Sequence, residues 1–277
     1  MIYSFNTGET QQSLREEYNP DGSVLRRAQL RLLEMLEYLD KVAKKIGIKW
    51  RIDGGNILGA IRHGGFIPWD DDIDIVVNRK DFKKLCKYLK STQHTQFILQ
   101  DHSTDNRYYK SWASLRDIKS EHISIENKNS KERKSLEMMK YRGLHIDIFP
   151  YEDRILPSLQ HLSGKLACFL NFTIAPYSAF IANIGYYLLE KIIFPIFRLL
   201  GHIIGKQGEF MHSYGAWFYE RLPKNVLLPY KPIIFENKKF NGPNCPEEFC
   251  KIIYGDYLSL PPKNKRNRHK VSIKLKE

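Results

Sequence analysis

The feature that most restricts how this chain can fold is the run Asp70-Asp71-Asp72-Ile73-Asp74-Ile75-Val76-Val77. Read as a strand, it places Ile73, Ile75 and Val77 on one face and Asp72 and Asp74 on the other. Carboxylates two residues apart on one strand face have Cα atoms roughly 7 Å apart, close enough to serve one ion. The sheet holding this strand must therefore pack an apolar face while presenting an acidic one. An acidic run in isolation reads as a solvated turn, but Asp74 lies inside a branched apolar stretch where an unpaired charge is costly. Leu144-His145-Ile146-Asp147-Ile148-Phe149 repeats the design, with Leu144, Ile146 and Ile148 on one side and Asp147 on the other. If the two strands are neighbours, Asp147 joins Asp72 and Asp74. Three such carboxylates repel one another, so a cation is their natural occupant. Oxygen-only ligands favour Mg²⁺ or Mn²⁺ over zinc, and such ions polarise phosphoryl oxygens and activate an attacking hydroxyl.

Around this pair of strands the rest of the chain alternates helix and strand before turning helical. Leu25, Ala28, Leu32, Met35, Leu36, Leu39, Val42, Ala43 and Ile46 fall at helical spacing and predict a helix over 24–46, with Ser23 at its start and Gly47 at its end. Ile48, Trp50 and Ile52 alternate as a strand. Asp53-Gly54-Gly55 breaks it, and a short helix follows until Gly64-Gly65. A helix through Phe82, Leu85 and Leu89 follows the acidic strand, and weaker strands are expected at 97–99 and 109–115. Residues 126–140 read as a mobile loop or exposed helix. Helices should dominate from about 159 to 219, followed by a strand near 233–235, a helix at about 246–253 and a basic tail.

The Gly54–Gly55 pair has a chemical reading beside its structural one. Backbone amides at the start of a helix form a phosphate cradle, although two glycines before a helix are often only a turn. Arg62 and His63, at the end of that helix, are equally readable as donor-phosphate ligands or as a C-terminal cap.

At this point the residues carry a resemblance. The stretch from Gly54 to Phe82, GGNILGAIRHGGFIPWDDDIDIVVNRKDF, resembles the signature of the LicD family, HIDIFPYE its second motif, and YGDYLSLPP with the basic, His-containing segment after it the C-terminal motif. The three occur in order over 53–269. The resemblance implies an α+β fold of the nucleotidyltransferase (DNA polymerase beta-like) kind: a mixed sheet flanked by helices, with a mainly helical C-terminal part. It implies an N-terminal extension at 1–23, a catalytic core at 24–153, a helical acceptor or membrane-proximal region at 154–262 whose YGDY-LPP motif packs on the core, and a basic tail at 263–277. It further implies Gly54, Gly55 and Asn56 at the donor-binding turn, metal at Asp72 and Asp74, Asp147 as the third carboxylate, and Asp70 or Asp71 binding metal through water. Arg116 and Asp117 resemble a further family segment, which adds Arg116 to the expected donor-binding residues. Asn56 stands where a small hydroxyl residue is expected, and Ser114 where a lysine is.

The implied activity is metal-assisted transfer of phosphocholine, or a related phospho-alcohol, from CDP-choline or another CDP-alcohol to a hydroxyl of a cell-surface glycan such as lipopolysaccharide, teichoic acid or capsule. CMP is the leaving group, and Trp69, Trp112, Tyr108 and Tyr109 are candidates for an aromatic face against choline. Two rivals remain at this stage. One is a nucleotidyltransferase or CDP-polyol phosphotransferase. The other is a non-catalytic basic protein on nucleic acid or membrane, suggested by the tail KNKRNRHKVSIKLK and the net charge of +13. Such a tail is usually just solvated, and no nucleic-acid partner is expected.

Compartment and membrane contact rest on simpler signals. The beginning, MIYSFNTGETQQ, has no basic stretch followed by an apolar core, so a signal peptide is not expected. The four cysteines do not form a disulfide framework, Cys86 and Cys168 reading as small core residues and Cys245 and Cys250 lacking partners for zinc. A reducing cytoplasm is the expected setting, at the inner face of the cytoplasmic membrane. Between Lys165 and Glu190 lie 24 uncharged residues, enough on paper for a crossing at about 20 residues. Polar residues and prolines interrupt them, and a crossing would separate YGDYLSLPP from the core. A buried helical pair or a face lying on the membrane over 166–204 fits better.

Overall fold

The computed structural model describes residues 5–92, 94–266 and 271–276. A short helix, α1 (Gln11–Tyr18), is capped by Thr10, and Ser23 caps the long α2 (Val24–Ile46). Gly47 ends α2 in the left-handed region at φ 65°, where a side chain would be strained. There follow β1 (Trp50–Ile52), α3 (Gly54–His63), β2 (Ile73–Asn78), α4 (Arg79–Ser91), β3 (Phe97–Gln100) and β4 (Ala113–Asp117). The next elements are β5 (Ser120–Ser124), α5 (Lys131–Glu137) and the long β6 (His145–Asp153).

The sheet is mixed and runs in the order β1-β2-β6-β4-β3. β2 and β6 are parallel neighbours, and β1, β4 and β3 join antiparallel. The parallel register sets Asp74 beside Asp147 and Ile75 beside Ile148, so the period of two is shared across the pair. Ile73, Ile75, Val77, Leu144, Ile146 and Ile148 are all fully buried or nearly so. α4 packs on β2, β3 and β6, and α2 on β6. Each fully buried Leu or Ile there contributes about 1.5–3 kcal/mol. A one-residue slip of β2 would drive Asp72 and Asp74 into that core, so the hydrophobic pattern also locks the acidic face in place.

Beyond β6 come α6 (Pro157–Phe169), α7 (Ala179–Leu188) and α8 (Phe194–Ile204), joined through π-helical turns at 170–174 and 189–193. The expected helical stretch to 219 ends early. β7 (Glu209–His212) pairs with the end of β6, at 151–153, just past the residues that pair with β4, and β8 (Leu222–Pro223) pairs with β7. Phe210 stacks on Tyr151 there, an aromatic contact across strands that a helical reading of the segment cannot supply. Among the described residues no helix is long and apolar enough to cross a membrane.

The remainder is α9 (Lys224–Leu227), a hairpin of β9 (Lys231–Phe235) and β10 (Lys238–Gly242), α10 (Pro246–Tyr254) and β11 (Val271–Leu275). The hairpin replaces the single strand expected near 233–235. Two further expectations change. The tail is not merely solvated, because β11 pairs with β5 and Arg266 is buried against Glu9 and Trp69. The polar segment 126–140 is not wholly exposed either: it contains α5, and its Leu136 and Met139 face a cleft. Residues 267–270, which include the histidine of the basic segment, lie outside the described residues.

Candidate active site

The acidic face of the sheet is the floor of a cleft of about 1160 Å³. Strand alternation on β2 and on β6, with the parallel register between them, brings Asp72, Asp74 and Asp147 to it from two sequence-distant segments. Ser114 sits across from Asp147 on β4. Its hydroxyl donates to Asp147 Oδ1, while Trp112 Nε1 donates to Oδ2 at 2.9 Å. Lys110 Nζ lies 3.8 Å from the same carboxylate and 4.9 Å from the centroid of the Trp112 ring.

Electrostatics at the floor follow from this crowding. The Asp74 carboxyl is pushed well above the usual range, first by burial and then by Asp72, Asp147, Asp53 and Asp70. Lys110 is pushed down by burial, against the pull of Asp147, Asp74 and Asp72. Asp53 behaves oppositely to Asp74. Burial alone would raise it, but Arg51 Nη1 at 2.5 Å and His212 Nε2 at 2.9 Å outweigh burial and keep it ionised.

The glycine turn touches the same cluster. Gly54 has φ +51°, and a Cβ there would meet Asp74 Oδ2 at 3.6 Å; one on Gly55 would meet Asp70 Oδ2 at 3.3 Å. The start of α3 thus lies directly against the carboxylates, although Gly54, Gly55 and Asn56 do not themselves line the cleft. Asn56 is buried and clamps β2, accepting from Asp74 N at 2.7 Å and donating to Asp72 O at 3.3 Å. Its amide is committed to aligning the acidic strand, and this local role accounts for an amide where a hydroxyl residue was expected.

Arg62 and His63 stand elsewhere. Arg62 Nη1 donates to the carbonyls of Tyr257 and Ser259 at 3.1 and 3.2 Å, tying YGDYLSLPP to α3. Its Nε donates to His63 Nε2 at 2.8 Å, so the imidazole proton is on Nδ1, which donates to Gln11 Oε1 at 2.9 Å. Neither residue lines the cleft. Arg116 does, yet it is spent on Gln100 Oε1 and the Gly143 carbonyl. Asp71 lines the cleft and Asp70 does not, while Asp117 lies behind the sheet, taken up by Gln96 and Arg31.

Of the four aromatic candidates, Trp69 and Trp112 line the cleft. Tyr108 is buried with its hydroxyl on Ser114, and Tyr109 packs in the helical region. Sequence reasoning missed Lys110, Phe172, Trp217 and Phe218, which also line it. Trp217 meets Trp112 edge-on at 4.5 Å and Phe172 at 5.8 Å. The missing lysine at position 114 is the one signal that could have drawn attention to Lys110, since β4 and the loop before it border the same floor.

A divalent metal fits this donor set in a particular way. Among the described residues no three His, Cys, Asp or Glu side chains close on one point as a finished cage. Asp72, Asp74 and Asp147 instead lie side by side on an open floor. Mg²⁺ suits such a floor, because it binds through one or two carboxylates and keeps its other positions for water and substrate phosphate. The raised Asp74 carboxyl marks the repulsion that a cation would relieve.

Residues 47–161 match the family model LicD, described as the LicD/FKTN/FKRP nucleotidyltransferase domain. This chain carries a LicD-family domain. The matched span runs from the turn before β1 into α6, and so contains Asp72, Asp74, Lys110 and Asp147. The lipopolysaccharide cholinephosphotransferase LicD of Haemophilus influenzae is 26% identical over 263 residues, covering 89% of this chain and 96% of that protein. The human ribitol 5-phosphate transferase FKRP is 36% identical over 62 residues, covering 22% of this chain and 12% of that protein.

Proposed function

We propose that this LicD-family chain is a phosphotransferase that moves phosphocholine, or a related phospho-alcohol, from a CDP-linked donor to a hydroxyl of a cell-surface glycan, releasing CMP. The observation that carries the reading is the meeting of Asp72, Asp74 and Asp147 on the floor of a cleft that also holds Lys110 and a run of aromatic rings. The relatives act on a lipopolysaccharide with cholinephosphate and as a ribitol 5-phosphate transferase, which supports phospho-alcohol transfer as the shared chemistry. A nucleotidyltransferase-like fold is part of the same proposal, supported by the domain match and by the parallel β2–β6 pair bearing the acids.

Asp72 and Asp74 would hold Mg²⁺ or Mn²⁺, which when bound neutralises diphosphate oxygens and favours in-line displacement. The residues do the rest. The Gly54–Gly55 turn gives the donor phosphates a side-chain-free approach to the carboxylates. Lys110 lies where charge develops on the transferred phosphoryl group, in a site whose polar groups are already fixed by Trp112, Ser114 and Asn56. Asp147 accepts the proton of the acceptor hydroxyl as its oxygen attacks the phosphorus that carries the alcohol. The bond from that phosphorus to the CMP oxygen breaks, and CMP departs with the electron pair. Phe172, Trp217 and Phe218 form an apolar and π-rich wall that suits a quaternary ammonium. The four thiols are unpaired, consistent with a reducing, cytoplasmic setting.

The test is CMP release from CDP-choline by the purified chain with Mg²⁺ and a surface-glycan acceptor, beside Asp72→Asn and with CDP-ribitol as an alternative donor. Acceptor-dependent release that disappears in the variant supports the proposal. A product that carries the nucleotide would replace it with nucleotidyl transfer.

A further inference from the structure

Thirteen of the twenty-three large apolar side chains that are exposed among the described residues fall within 169–204, a small fraction of the chain. On α7, Phe180, Ile184 and Tyr187 recur at helical spacing, and on α8 Ile196, Leu199 and Ile203 do the same. Phe180 is 76% exposed and Ile203 69%. The inner side of these helices is already satisfied, because Leu170, Ala182, Leu189 and Phe194 form a core of their own. What remains outside is a second apolar face, larger than monomeric proteins usually leave in water.

Charge identifies what covers it. Across 157–208 the one carboxylate is Glu190, which is half-buried with its Oε1 shielded from solvent. Lys165 and Lys191 are exposed, Lys206 is exposed but paired with Glu209 at 2.8 Å, and Arg198 turns inward to Glu152. An apolar face rimmed by lysines and free of exposed carboxylates complements an anionic bilayer surface. A symmetric second copy would set the same lysines against one another. A span does not fit: among the described residues no helix is long and apolar enough to cross a membrane, and the continuous helical run through α7, its π turn and α8 commits Ala182, Leu189 and Phe194 to the protein's own core. Tyr177 and Tyr187, both exposed, have the apolar ring and polar tip that favour the headgroup level.

We infer that the outer face of α7 and α8 is an interfacial docking surface for anionic lipid. The same segment continues into the cleft, because Asn171 and Phe172, in the turn between α6 and α7, line its wall. Docking therefore holds the cleft at the lipid–water boundary.

Flotation of the full chain with vesicles, without donor or acceptor, tests the surface separately from the chemistry. Binding is expected to vesicles of phosphatidylglycerol and phosphatidylcholine, and to weaken markedly on pure phosphatidylcholine. Phe180→Asp with Ile203→Asp should lower binding about a hundredfold, at about tenfold for each large apolar side chain withdrawn, with an unchanged melting curve. Lys165→Glu with Lys191→Glu should lower it about tenfold and remove most of its salt dependence. Absence of wild-type flotation would overturn the inference. So would a stable dimer in light scattering that the Phe180/Ile203 variant dissolves while vesicle binding is unaffected.

Discussion

Asp74→Asn separates the cost of the acidic floor from its use. In β2 and β6, neighbouring strands lie about 4.8 Å apart, so the facing carboxylates of Asp74 and Asp147 repel across roughly 5–7 Å. At an effective dielectric of about 20 that repulsion is roughly 2–3 kcal/mol. Asp72 adds to it and Lys110 offsets part, leaving about 2 kcal/mol to be relieved by a neutral amide. The substitution leaves the Asn56 clamp intact, because that bond uses Asp74 N and not its side chain. Metal-free Asp74→Asn should therefore melt about 4–6 °C above wild type at neutral pH. The sign with pH follows from the raised carboxyl. Wild type is relieved when Asp74 is protonated and loses stability as pH rises from about 4, the unfolded value, through the raised folded value. The advantage of the variant should accordingly vanish in acid. Mg²⁺ should raise the melting temperature of wild type far more than that of the variant, and CMP release should be lost. Calorimetry with and without Mg²⁺ reads all of these. A variant that melts at or below wild type without metal, or that keeps its turnover, would refute the account of the floor.

Three other outcomes follow from single contacts. Lys110→Met should lower kcat/KM for CMP release about a hundredfold or more, the scale of losing one preorganised charged donor, with far-UV circular dichroism unchanged. Arg62→Ala removes the donor to Tyr257 and Ser259 and should cost about 3 kcal/mol, seen as a lower urea midpoint at unchanged slope. His63 is held down to about 3 by burial, then by Arg62 and Arg266. Its contribution to stability is present above about pH 6.5, its unfolded value, and is lost as pH falls from there towards 3. The resulting loss is about 2 kcal/mol at pH 5, and His63→Gln should flatten that part of the stability profile.

Local patterns carried much of this architecture. The spacing of Leu25 to Ile46 defined α2 together with both caps, and alternation in 73–77 and 144–149 gave the two central strands and the direction of their acids. These signals are legible because a helix face or a strand face depends only on near neighbours in the chain. The same reasoning failed where a distant partner decides. Residues 209–212 follow a helical stretch and become a strand because the end of β6 is left open once β4 stops. The tail pairs with β5 although its composition suggests only solvation. Arg62 looked like a phosphate ligand from its place in a motif, but the carbonyls that claim it lie almost two hundred residues away.

The amino-acid sequence by itself determined that Asp72, Asp74 and Asp147 would lie on the polar sides of two strands, since side-chain alternation leaves no other choice once the apolar residues are buried. Only the tertiary structure decided that these strands are parallel neighbours with Asp74 level with Asp147, that Lys110 and Trp217 close on the same floor, and that α7 and α8 keep an apolar face outward. Strand pairing and helix docking are set by long-range burial, where many weak contacts compete. No short stretch of sequence holds more than one side of that balance.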